Sequence, residues 1–206
     1  MKPPLSRSAA TALRTVGPFF TERDFYLAGG TGLAVQLHHR RSVDLDWFSS
    51  VPLEHPESLG KALGEAAPDF VLSSIAQGTL HGRLAGTRIS AFEYLYPLLS
   101  PCESNAEYKV FVASLLDIAA MKLLAIAQRG AKKDFIDIYA LGTKMPLAGM
   151  VDGYMRKFGI ADPVHLARAL TYFDDANKET TPLILWDFDW RDVKREISVW
   201  VKRTFS

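Results

Sequence analysis

The residues best equipped for chemistry are Asp44 and Asp46, an acidic pair in Val43-Asp-Leu-Asp-Trp47. Along a strand alternate side chains share a face, so both carboxylates are expected to point the same way. Two carboxylates ~5 Å apart repel by ~3 kcal/mol at an effective dielectric of ~20. Such a pair calls for a cation, and a divalent metal is the usual one. Upstream lies Leu27-Ala-Gly-Gly-Thr31. Glycines let backbone N–H groups approach a phosphate, and a helix start adds partial positive charge. Gly29 and Gly30 through their N–H groups, and Thr31 through its hydroxyl, are expected to contact phosphates. A plain strand–helix turn with Thr31 as N-cap would leave the same pattern. The acidic pair could likewise be satisfied by Arg40 and Arg41, although Val43, Leu45, Trp47 and Phe48 argue against a fully solvated strand. A phosphate cradle beside paired carboxylates reads as nucleotidyl or phosphoryl transfer.

The elements that must position these residues follow from local pattern. Helical spacing of Ala9, Ala12, Leu13, Val16 and Phe20 predicts a helix over 5–23, disturbed near its end by Pro18. Residues 25–27 form a short strand, Thr31 to about His39 a helix, and 43–48 a buried strand. A helix over 54–67 precedes strands at 70–75, 79–84 and 87–94, with Gly78 and Gly86 as turn residues. One more strand is expected at 108–112. Beyond it the pattern is helical: Ser114 and Asp117 have capping-box spacing, and Asp162-Pro163 marks another helix start. The chain thus divides into an α/β part, 1–112, and a helical part, 113–206.

Gly29-Gly30-Thr31 followed by Arg40-Arg-Ser-Val-Asp44-Leu-Asp46 resembles the first motif of the DNA polymerase β nucleotidyltransferase superfamily. Asp117-Ile-Ala-Ala-Met-Lys122, Gln128-Arg129-Gly130 and Lys133-Asp134-Phe-Ile-Asp137 resemble the later motifs of the AbiEii/AbiGii nucleotidyltransferase toxin family. The resemblance covers roughly residues 25–141. It implies an α+β fold, with a polymerase β-like mixed sheet core and a helical C-terminal region completing the nucleotide site. It also implies an enzyme that uses Mg²⁺, in a two-metal site, to move a nucleoside monophosphate from an NTP to a tRNA or protein acceptor. The biology would be toxin–antitoxin or phage defence, with a cognate antitoxin as partner. On this resemblance Asp44 and Asp46 are metal ligands and catalytic residues, Lys122 and Arg129 bind the triphosphate, and Lys122 and Asp137 are catalytic.

Each assignment has a plainer competitor. Lys122 emerges from an apolar helix face (Ile118, Met121, Leu124, Ala125), where a snorkelling surface lysine would also fit. Lys133 and Asp137 could be an i,i+4 ion pair worth a few tenths of a kcal/mol. His38, His39, Arg40 and Arg41 could form a basic lip for phosphate or RNA, or reflect a helix C-terminal charge preference. The superfamily's third carboxylate has no clear counterpart, because Ser90 stands at the expected position and Glu93 lies on the opposite face of its strand. Asp187-Phe-Asp189 repeats the D-x-D pattern but precedes a helix that Asp189 could cap. Lys194, Arg195, Lys202 and Arg203 read as a solvated face or a tRNA contact.

Composition bounds the rest. A net charge of +1 gives no global nucleic-acid signature, so any such contact is local. The single cysteine, Cys102, excludes an intrachain disulfide framework and a cysteine-based zinc cluster. No apolar run suggests a signal peptide or membrane span, and a cytoplasmic protein is expected. Two rival readings remain: a catalytically degenerate nucleotidyltransferase fold acting as an interaction protein, and a small-molecule nucleotidyltransferase.

Overall fold

The computed structural model describes residues 2–206. In chain order the elements are α1 (Arg7–Thr21), β1 (Phe25–Leu27), α2 (Gly29–Leu37), β2 (Leu45–Ser49), α3 (Pro56–Ala66), β3 (Val71–Ala76), β4 (Thr79–Leu84) and β5 (Thr87–Glu93). They continue with β6 (Glu103–Asn105), β7 (Val110–Val112), α4 (Leu115–Gln128), α5 (Lys132–Leu141), α6 (Leu147–Phe158), α7 (Val164–Thr171), α8 (Asp174–Lys178) and α9 (Trp190–Thr204). The strands form one mixed sheet in the order β3-β4-β5-β2-β1-β7-β6. β2 runs parallel to β5, and β1 parallel to β7, while the other neighbours are antiparallel.

The period of two on β2 decides the layering. Leu45, Trp47 and Ser49 are buried on one face, where Trp47 stacks on Phe20 of α1. Leu13 and Phe20 of α1, Leu63 of α3, and Leu80 and Ile89 of the sheet complete that cluster. Asp46 and Phe48 point to the other face. Over that side pack α2 and α4–α9, with Leu33, Ile118, Leu123, Phe135, Met150 and Ile197 in a second cluster. Two apolar layers therefore clamp the sheet, and the acidic face of β2 looks towards the helices.

Several local expectations change on packing. α1 continues through Pro18 to Thr21, and β6 is an added short edge strand. Ser114 caps α4 by accepting from Asp117 N–H. The Asp117 carboxylate does not complete the box. It takes Ser114 Oγ, the Leu99 and Ser100 N–H groups and Lys157 Nζ, tying the 97–100 loop to α4 and α6. Asp189 caps α9 in a full capping box, so the second D-x-D is a helix start. No helix among the described residues is long and apolar enough to cross a membrane.

Candidate active site

A cavity of about 730 Å³ opens between the β2–β5–β4 face and helices α4 and α5. Its sheet wall carries Asp44, Asp46, Phe48, His81, Arg88, Ser90 and Phe92. Its helix wall carries Lys122, Gln128, Arg129 and Lys133, and Gly29 and Gly30 close one end.

Asp46 lies on β2, while Asp44 sits just ahead of the strand; both nonetheless line the cavity. Asp44 accepts a 3.0 Å hydrogen bond from Arg88 Nη2. The Asp46 carboxyl has no such partner. Burial, reinforced by Asp44, pushes it above the ordinary carboxylate range against the opposing pull of Arg88. A buried, under-compensated carboxylate next to a second one suits a cation. Mg²⁺ is commonly held by one or two carboxylates together with substrate phosphates and water, so this pair fits it. Among the described residues no group of three or more His, Cys, Asp and Glu side chains is disposed to hold a metal. Ser90, at the position where the resemblance leads one to expect a third acid, lies in direct register with Asp46 across the β2–β5 pair.

The glycines do two different jobs. Gly29 has φ +60°, the left-handed region that favours glycine, and it opens α2. Ala28 precedes it and has no side chain with which to cap, so the first N–H groups of α2 are left without side-chain acceptors at the cavity end. A Cβ on Gly30 would fall 2.6 Å from Arg40 Nη2, so this glycine makes room for the guanidinium. Thr31 corrects the expectation. It lies inside α2, 1% exposed, with its hydroxyl 2.7 Å from Ser42 Oγ and donating to the Asp44 carbonyl. That hydroxyl fixes the loop carrying Asp44 and does not line the cavity.

Lys122 does face the cavity, but it is also the hub of a buried ion network. Its Nζ lies 2.8 Å from Asp134 Oδ1 and 2.6 Å from Asp137 Oδ2. Burial alone would lower the Lys122 pKa, but the two carboxylates outweigh it and raise it. An ammonium has three donors, so one remains for the cavity. Arg129 Nε bonds Asp134 Oδ2 at 3.0 Å while its side chain stays half-exposed. Asp137 is fully enclosed: His39 Nε2 at 2.7 Å, Arg40 Nε at 2.6 Å and Arg40 Nη2 at 2.8 Å join Lys122 on its two oxygens. Burial would raise its pKa, yet Arg40 and Lys122 hold it well below the carboxylate range. The catalytic role expected for Asp137 is therefore corrected. With no solvent access and both oxygens occupied by cations, it positions Lys122 and Arg40.

The basic lip is also divided. His39 and Arg40 turn inward to Asp137, and burial holds His39 below its ordinary value of 6.5. His38 ends α2 in the left-handed region, and Arg41 remains on the cavity wall. Arg41 Nε is a buried donor without an acceptor, a group that an anion would satisfy. Lys133 lines the cavity; the ammonium that pairs with Asp137 is that of Lys122. Arg88, His81 and the aromatic end formed by Phe48, Phe92 and Tyr94 were not singled out from sequence. The period-two row Arg88-Ser90-Phe92 carried the signal for two of them.

The sequence model described as "Nucleotidyl transferase AbiEii toxin, Type IV TA system" matches residues 86–195. An uncharacterised protein of Aquifex aeolicus is 36% identical over 182 residues, covering 85% of this chain and 86% of that one. Among solved structures, JHP933 from Helicobacter pylori superposes with TM-score 0.60 at 17% identity, covering 97% of this chain and 93% of its own. The nucleotidyltransferase toxin MenT4 from Mycobacterium tuberculosis superposes with TM-score 0.54 at 14% identity, covering 96% and 86%. At those identities the structural likeness concerns the fold.

Proposed function

The chain belongs to the nucleotidyl transferase AbiEii toxin family, and from that premise we propose that it moves a nucleoside monophosphate from an NTP to a hydroxyl of a tRNA or protein acceptor. One observation carries this reading. The cavity sets an under-compensated carboxylate pair against an uncapped helix start and a surplus of cations, three (Arg40, Lys122, Arg129) against two carboxylates in the network behind it. Opposite charges facing one another across such a space suit a triphosphate and its counter-cation.

In the proposed mechanism the α2 N–H groups of Gly29 and Gly30, the free donor of Lys122, and Arg41, Arg129 and Lys133 hold the phosphates. Phe48, Phe92 and Tyr94, with Met121 alongside, offer an apolar end for the nucleobase. Mg²⁺, held by Asp44 and Asp46, would neutralise charge on the triphosphate when bound. The acceptor oxygen attacks the α-phosphorus in line, and pyrophosphate leaves with the bonding electrons of the α–β bridge. A second cavity of about 390 Å³ shares Gln128 and Arg129 with the first and adds His165, Arg168 and Tyr172. Basic and aromatic groups in that annex favour a nucleic-acid acceptor. A cognate antitoxin and a cytoplasmic setting follow from the same family reading.

The test is incubation with each α-labelled NTP, Mg²⁺, total RNA and cell lysate. Label in an RNA or protein band is expected. If no NTP labels any macromolecule, but an aminoglycoside-like alcohol is labelled, the small-molecule reading replaces it.

A further inference from the structure

Three residues stand in a row across adjacent strands on the cavity face. Asp46 of β2 is in register with Ser90 of β5, and Ser90 is in register with His81 of β4. Neighbouring strands lie ~4.8 Å apart, so His81 is roughly 10 Å from Asp46 along the row. That gap is wide enough for a reacting phosphorus and an acceptor oxygen between them. The Ser90 hydroxyl and His81 Nδ1 are 3.1 Å apart, and the imidazole packs edge-on against Phe92 at 5.6 Å. Two contacts therefore fix a histidine that lines the same cavity as the acidic pair.

We propose that His81, held by Ser90, is the general base that takes the proton of the acceptor hydroxyl. The inference rests on the nucleotidyl-transfer reading above. With Ser90 accepting from Nδ1–H, the tautomer leaves the Nε2 lone pair free for the cavity. The acceptor O–H gives its proton to Nε2 as the new O–P bond forms and pyrophosphate departs with the electrons of the broken P–O bond. The chain thereby replaces the acid expected at Ser90 with a neutral base one strand further out. A neutral base does not add a third negative charge to a site where Asp46 is already under-compensated. The charged groups lining the same cavity are Arg88 and Glu93 of β5, Asp44 and Asp46 beyond Ser90, Arg40 and Arg41, and Lys122, Arg129 and Lys133 across the cavity; on β3 the residue in register with it is Ser74. Ser90 is a positioning residue on this reading.

The experiment compares wild type, His81→Ala, His81→Gln and Ser90→Ala in single-turnover transfer from the labelled NTP to the labelled acceptor fraction. The rate is followed from acid to mildly alkaline pH, and the rise in melting temperature produced by Mg²⁺ and NTP is recorded in parallel. Both His81 variants should lose about 10²–10⁴-fold in rate and the acid limb of the pH profile. Their nucleotide-induced melting shift should match wild type. Ser90→Ala should lose less and keep the acid limb. His81→Gln retains a hydrogen-bonding partner for Ser90, so it separates base function from strand packing. A His81→Gln protein transferring at the wild-type rate overturns the proposal, as does loss of the nucleotide-induced shift in both variants. Absence of transfer by wild type would overturn the nucleotidyl-transfer reading itself, and His81's role with it.

Discussion

The two walls of the cavity treat charge in opposite ways. On the sheet wall, Asp46 is buried without a hydrogen-bonded partner, and its carboxyl is pushed above the ordinary range. On the helix wall, Asp137 is buried with three cationic or imidazole partners and is held far below that range. Burial penalises both anions alike, so the difference lies in compensation. The helix wall is completed within the protein and serves as scaffold. The sheet wall is left incomplete within the protein, and on the proposed reading an external cation would complete it. Sequence type alone does not separate an acid that binds a ligand from one that holds a neighbour.

The largest expected effect breaks the scaffold side. Asp137→Ala leaves Arg40 and Lys122 buried with one carboxylate fewer, and removing one member of a buried pair costs about 3–5 kcal/mol. Chemical denaturation should show a loss of that order, with reduced expression of folded protein. The same logic applies to Lys122→Met, which leaves Asp134 with Arg129 alone and Asp137 with only Arg40 and His39. A small stability change in Asp137→Ala would mean that the network is not the scaffold described.

Asp46→Asn tests the other wall and should do the reverse. Transfer should fall by on the order of 10³-fold, because several kcal/mol of charge stabilisation disappears. Stability without ligand should stay level or rise, since a carboxylate repulsion is removed. Activity assay and urea titration on one preparation check both halves. Full transfer by Asp46→Asn sinks the metal assignment.

Much of the fold is legible in the sequence. The order strand, glycine turn, helix, acidic strand came from periodicity and turn chemistry, and the three strands after α3 came from Gly78 and Gly86, which adopt φ +62° and +78°. The second motif block brought Lys122, Arg129, Asp134 and Asp137 to attention together. What could not be read was which partners they choose. Lys133 and Asp137 are four apart on one helix, yet Asp137 pairs with Lys122, because the tertiary approach of α4 outweighs a local contact. Thr31 has the residue type of a cap, but its hydroxyl is claimed by a loop eleven and thirteen residues on. His81 was recoverable in principle, since the two-residue turn at Ala85-Gly86 sets the β4–β5 register. Its importance depends on β2 lying next to β5, a pairing that no local pattern records.

The pH response sharpens the comparison. His39 is held below its ordinary 6.5, so the unfolded chain takes up a proton there that the folded chain refuses. Stability should therefore decline as pH drops below about 6.5, by up to ~1.4 kcal/mol per pH unit. Asp134 and Asp137, lowered from their ordinary value of 3.8, contribute stability present above that value and lost as pH falls through their folded pKa values. Asp46 acts in the other sense, since its raised pKa makes protonation favour the folded state. Melting temperature against pH should show the first decline in wild type and lose it in His39→Gln, whose amide can still donate to Asp137. A curve flat down to the carboxylate range would contradict a neutral His39.

The smallest effect concerns Thr31, the residue whose role changed most between sequence and structure. If its hydroxyl bound phosphate, Thr31→Val would weaken nucleotide binding directly and leave stability nearly untouched. In the fold the hydroxyl joins Ser42 Oγ and the Asp44 carbonyl, and Thr31 itself does not line the cavity. Valine keeps the volume but leaves those two groups without a partner, which costs about 1–2 kcal/mol. For a chain of this length that is a drop of only a few degrees in melting temperature. Loosening the loop that carries Asp44 should cut transfer modestly, with the effect in kcat exceeding that in the KM for NTP. A rise in KM at unchanged stability would return Thr31 to the phosphate cradle and shift the dividing line between the ligand-binding wall and the scaffold.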